Sequence, residues 1–113
     1  MNINIIADKV EISLISIQND FDNYQKSFFP ERSREFFCLE LNGEAGELAN
    51  AEKKRWKGRK VQEETFIDEV ADVFIALMNY SNSCNINIGK AVAAKLKKIE
   101  EIRLKLAEEG REY

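Results

Sequence analysis

The chain has 113 residues, of which 44% are hydrophobic and 33% charged, with one proline, five glycines and a net charge of −3. That is the length of one domain, too apolar for a disordered chain and, with so few turn formers, suited to helices joined by short connections. The acidic balance provides no footprint for nucleic acid, and no apolar run approaches the ~20 residues of a membrane span.

The first predicted helix runs from Asp8 to Phe28. Asp8 and Glu11 have capping-box spacing, and Leu14, Ile17, Phe21, Tyr24 and Phe28 recur at three- and four-residue steps. Ser27 to Ser33, which contains Pro30, breaks it. The second runs from Glu31 to Trp56, with Phe37, Leu41, Ala45 and Leu48 as its stripe and Gly58 where a C-terminal cap belongs. Gly43 and Gly46 inside it cost about 1 kcal/mol each against alanine, which suggests a place where something approaches the backbone closely. The third runs from Gln62 to Ser83, with a stripe of Phe66, Val70, Val73, Leu77, Tyr80 and Cys84, broadened by Ile67 and Phe74. The fourth runs from Asn87, a good N-cap, to Glu109, with Ile88, Val92, Leu96, Ile99, Ile102 and Leu106 facing one way and Gly110 at its end. Four amphipathic helices with short loops predict a single all-α, four-helix bundle-like domain over residues 1–113. The stripes are broad enough to predict a dimer or higher oligomer.

Residues 1–7 carry neither a basic segment nor a cleavage signal, so a cytoplasmic protein is expected. Cys38 and Cys84 make no disulfide framework and are expected as buried small hydrophobes. Histidine is absent. This excludes Ser-His-Asp and Cys-His relays and histidine-ligated zinc, so any metal or acid–base chemistry falls to carboxylates and lysines.

The carboxylates are arranged for such work. Residues advance about 100° each along a helix, so Glu44 and Glu47 project together, with Glu40 a turn earlier on the same side. Glu69 and Asp72 repeat the spacing on the next helix. Both pairs border apolar stripes. If those faces pack antiparallel, four carboxylates converge, and like charges that close raise each other's pKa unless a cation sits between them. Hard oxygen donors alone select magnesium or manganese. The competing reading is a solvated acidic surface.

Other residues carry two readings as well. Lys95 lies within the apolar stripe of the fourth helix, where it snorkels to the edge, pairs with an acid or holds a phosphate, and Arg103 lies at the stripe's edge. The cluster Lys53, Lys54, Arg55, Lys57, Arg59 and Lys60 is either a solvated helix end or a phosphate-attracting rim. Trp56 either packs at the helix end or stacks on a base. Asn79, two turns after Asp72, either is a surface or inter-helix asparagine or reads a base or sugar through its amide.

Leu41-Asn42-Gly43-Glu44-Ala45-Gly46-Glu47-Leu48-Ala49 and Asp68-Glu69-Val70-Ala71-Asp72-Val73 resemble the two motifs of the MazG-like nucleotide pyrophosphohydrolases, Glu-x-x-Glu followed after a gap by Glu-x-x-Asp. Ile86 to Val92, followed by Lys95, is similar to the segment that opens the family's next helix. The resemblance covers about residues 36–103. It implies an all-α homodimer or homotetramer that hydrolyses nucleoside triphosphates at the α–β bond to monophosphate and pyrophosphate. Glu44, Glu47, Glu69 and Asp72 would hold magnesium, with manganese as a substitute, a carboxylate would act as base, and Lys95 would bind the triphosphate. The sequence departs from many relatives at Gly43, where they carry a second glutamate that Glu40 would have to replace, and at Ile99, where they carry asparagine. The same motifs admit a dedicated dCTP, dUTP or phosphoribosyl-ATP hydrolase. A non-enzymatic helical interaction module is the reading outside this chemistry.

Overall fold

The computed structural model describes residues 2–113. It contains α1 (Ile3–Phe28), α2 (Arg34–Trp56), α3 (Glu63–Ser83) and α4 (Ile88–Glu108), with no strand among the described residues. The protein is all-α. It divides into two compact units: the chain up to Phe21 together with Ile86–Tyr113, and Asp22–Asn85.

Helix boundaries follow local chemistry. The Asn2 side chain accepts from the Asn4 backbone N–H at 2.9 Å, so α1 begins five residues before the predicted Asp8, and the Asp8–Glu11 pair lies inside the helix. Ser33 caps α2 by accepting from Phe36 N–H, and Asn87 caps α4 by accepting from Lys90 N–H. The end of α2 is a Schellman motif: Arg59 N–H donates to Lys54 C=O, Gly58 N–H donates to Arg55 C=O, and Gly58 has φ +85°. α4 ends the same way, with Arg111 donating to Leu106, Gly110 donating to Ala107, and Gly110 at φ +70°. Asn85 takes the left-handed conformation after α3, which asparagine tolerates better than most side chains.

In the first unit, the α4 N-terminus is fastened to α1 by Gln18, which is 4% exposed. Its Nε2 donates to Ile86 C=O at 2.6 Å and its Oε1 accepts from Ile88 N–H at 3.0 Å, satisfying one of the orphan donors of α4. Close approach requires glycine here: a Cβ on Gly89 would stand 2.9 Å from Glu11 O and 3.0 Å from both Glu11 Cα and Val10 O. The predicted close approach at Gly43 and Gly46 does not occur within the chain, since no atom comes within 4 Å of a Cβ built at either.

The second unit is built on α2 packed against α3. Phe37 and Ala51 on α2, and Phe66, Ala76 and Met78 on α3, are buried. Arg55 joins the two helices near their connection, stacking 3.8 Å over the Phe66 ring and pairing with Glu52 and Glu63. Much of the apolar sequence stays uncovered. Ile67, Val70 and Phe74, one stripe of α3, are exposed, as are Phe36 and Leu39 on α2 and Ile12 and Ile17 on α1. Cys38 is exposed and Cys84 half-buried, contrary to the expected burial of both; adjacency to Phe37 does not orient Cys38, because neighbouring residues on a helix point about 100° apart.

Candidate metal centre

Glu44 falls on the same side of α2 as Phe37, Leu48 and Ala51, and Glu69 on the same side of α3 as Phe66, Val73 and Ala76, so helical periodicity places both acids in the packed seam. One carboxylate oxygen from each of Glu44, Glu47 and Glu69 lies within 4.8 Å of the others. A second group of Asp68, Glu69 and Asp72 meets the same limit, so Glu69 belongs to both. The sequence-predicted set therefore meets through Glu69. The added member, Asp68, lies outside the Glu-x-x-Asp spacing that selected the others; its signal is its place four residues before Asp72, one helical turn away.

Glu44 Oε2 and Glu69 Oε2 are buried and have no hydrogen-bond partner. Burial raises the pKa of the Glu44 carboxyl, and the charges of Asp72, Glu47, Glu40 and Asp68 raise it further. Glu69 is raised first by burial, then by the charge of Glu47 and a hydrogen bond with it, and by Asp72 and Glu44. No lysine or arginine forms an ion pair with any of these six acids among the described residues. Clustered acids, two orphaned buried oxygens and no ion-paired cation among the described residues make this a candidate divalent-cation site. The donor set is all oxygen, as magnesium or manganese requires.

The remaining predicted residues fall in separate places. Glu40 is exposed, near enough to raise Glu44 but in neither ligand group. Lys54 lines a cavity of about 270 Å³ at the α2 C-terminus with Asn50, Lys53, Lys57 and Arg59. None of its four cations forms an ion pair among the described residues, whereas Arg55 is taken up by Glu52, Glu63 and Phe66. Trp56 is 85% exposed, so it does not pack at the helix end as one reading had it. Asn79 is buried, at 8% exposure, and lines a cavity of about 600 Å³. Lys95 and Arg103 lie on α4, in the other unit; both are exposed, and Arg103 pairs with Glu100. Comparison with protein-family models, with curated proteins and with solved structures finds no match to this chain.

Proposed function

We propose that the α2–α3 seam holds magnesium and that the protein is a nucleoside triphosphate pyrophosphohydrolase, converting a triphosphate and water to a monophosphate and pyrophosphate. The observation that carries this reading is the pair of buried, unpartnered oxygens, Glu44 Oε2 and Glu69 Oε2, within a cluster of like charge. Native proteins rarely leave such atoms unsatisfied. A cation satisfies both and offsets the burial and the like-charge repulsion that raise the Glu44 and Glu69 carboxyls. The resemblance of the two acidic motifs to MazG-like enzymes points to the same chemistry.

In this reading Glu44, Glu47, Glu69 and Asp72 hold the ion, and Asp68 flanks it. Bound magnesium supplies Lewis acidity toward the phosphate oxygens and neutralises charge that develops during hydrolysis. The chain's own groups position the reactants. Water adds to phosphorus at the α–β bridge, the bridging P–O bond breaks, and a carboxylate accepts the water's proton. Among Glu44, Glu47 and Glu40, we assign that transfer to Glu40, which is exposed one turn from Glu44 and outside both ligand groups. The unpaired cations Lys53, Lys54, Lys57 and Arg59 attract the polyphosphate, a role the resemblance also gives to Lys95. The exposed stripe of Ile67, Val70 and Phe74 supports a homo-oligomer as the working form.

The test is a panel of ribo- and deoxynucleoside triphosphates together with phosphoribosyl-ATP, scored for equimolar monophosphate and pyrophosphate with and without magnesium. Magnesium-dependent release, abolished in Glu44→Gln and Glu69→Gln while helical content survives, is expected. Absence of pyrophosphate from every triphosphate removes the enzyme reading and leaves an interaction module. The profile across the panel separates a general hydrolase from one dedicated to dCTP, dUTP or phosphoribosyl-ATP.

A further inference from the structure

The cavity of about 600 Å³ at the other end of the hairpin has no part in metal binding, and its lining is specific. It lies where the end of α1, the α1–α2 loop and the start of α2 meet the end of α3. Most of its charged groups are already engaged. Lys26 pairs with Asp22 at 2.9 Å, Arg34 lies 3.5 Å from Glu35, and Arg32 stacks over Phe36. Ser33 Oγ is occupied in capping α2, and Ser83 Oγ donates to Tyr80 C=O. The exception among the buried lining groups is Asn79. It is 92% buried, taken from its 8% exposure, and its amide forms no hydrogen bond among the described residues. Phe37, buried, and Phe29 and Pro30, exposed, supply apolar surface beside it.

We infer that this cavity is the subsite for the base and sugar of the nucleotide, with Asn79 reading the edge of the base. The inference rests on the triphosphate reading above and adds to it the direction in which the substrate lies. A carboxamide offers adjacent donor and acceptor groups, the complement of a nucleobase edge. Aromatic faces accept a planar ring. The cavity volume falls within the few hundred to roughly 1,000 Å³ of small-molecule sites. Asn79 stands seven residues beyond Asp72 on the same side of α3, a rise of roughly 10 Å. That displacement suits a base whose α-phosphate is at the acids. Lys54 stands seven residues beyond Glu47 on the same side of α2, displaced by a similar rise toward the opposite end of the hairpin. The substrate therefore lies along the seam, base at Asn79, scissile bridge at the acids, terminal phosphates toward Lys53, Lys54, Lys57 and Arg59.

The decisive measurement uses wild-type, ¹⁵N-labelled protein without metal, titrated with nucleoside 5′-monophosphates and, separately, with ribose 5-phosphate. The Asn79 side-chain amide and the backbone amides of 29–37 and 79–83 should shift saturably with at least one nucleotide and not with ribose 5-phosphate. No shift with any nucleotide at millimolar concentration, or equal shifts with ribose 5-phosphate, overturns the subsite. In the assay, Asn79→Ala should lower the kcat/KM ratio of the preferred nucleoside triphosphate to methyl triphosphate at least tenfold. An unchanged ratio in an active enzyme overturns the subsite and leaves the hydrolase reading standing. Nucleotide-specific shifts at Asn79 with no pyrophosphate release from any triphosphate support the subsite and remove the hydrolase reading.

Discussion

The two units bury polar side chains in opposite ways. Gln18 in the first unit gives a donor and an acceptor to the backbone of Ile86 and Ile88. Glu44 and Glu69 in the second bury an oxygen each with nothing to receive it, among further carboxylates. A satisfied buried amide is structural: it fixes the entry of α4 and asks for no ligand. Unsatisfied buried carboxylate oxygens weaken the free protein, and the ion proposed above would relieve them. Structural work at the first seam and the proposed chemical work at the second can each be broken by substitution.

The largest effect is expected at the acids. Glu69→Gln, which keeps shape and removes charge, should lower magnesium-dependent pyrophosphate release by roughly a hundredfold or more, the scale of losing preorganised electrostatic stabilisation. Urea unfolding without magnesium should show no loss of stability in the same variant. Gln18→Ala should behave in reverse. It leaves the Ile86 carbonyl and Ile88 N–H without their partner, at a cost of about 1–3 kcal/mol for each such group, seen as a lower urea midpoint. A Glu69→Gln variant that unfolds readily would return the seam to a structural role.

Magnesium should stabilise the wild type by about 2.7 kcal/mol at one hundred times its dissociation constant, measured as a rise in thermal midpoint. Glu44→Gln/Glu69→Gln should lose that rise, whereas Gln18→Ala should keep it on a lower baseline. Gly89→Ala comes next in size. Its Cβ would press on the backbone of Val10 and Glu11, which cannot swing aside as a flexible side chain does, so a loss of about 1–3 kcal/mol is expected from overpacking. Gly43→Ala, facing open space within the chain, is the paired control; if it costs as much as Gly89→Ala, a neighbouring copy covers α2 at that point.

Local signals made much of this legible. Asn87, Gly58 and Gly110 mark helix ends in the sequence, and all three act there. The acidic pairs could be placed at core-edge positions because helical periodicity alone sets their direction. What escaped depends on long-range partners. Gln18 reads as one more polar residue on α1, since its partners lie 68 and 70 residues away. Gly89 looks like a tolerated helix glycine until the backbone of α1 is placed against it. The start of α1 was misplaced because Asp8 and Glu11 imitate a cap that Asn2 provides. The cavity beside Asn79 draws on two stretches of chain, 22–37 and 79–85, neither of which marks it alone.

The smallest expected effect is a pH slope, and its sign follows from the acids. The ordinary glutamate value is 4.5, and both Glu44 and Glu69 stand above it in the folded chain. Between 4.5 and the raised values the folded state therefore binds more protons than the unfolded one. Stability then falls as pH rises through that window, and the loss is complete above the raised values. Glu35, lowered by backbone and Ser33 hydrogen bonds, and Glu100, lowered by Arg103, act oppositely: their stabilisation is present above 4.5 and is lost as pH falls through their lowered values. The two effects occupy different pH ranges. Without metal, the wild type should lose stability as pH rises above 4.5 more steeply than Glu44→Gln/Glu69→Gln, as read from urea midpoints. Saturating magnesium at neutral pH should remove the wild-type deficit, because the ion supplies the positive charge that protons supply in acid. Equal slopes for wild type and double variant without metal would mean that the two carboxyls carry no strain for an ion to relieve.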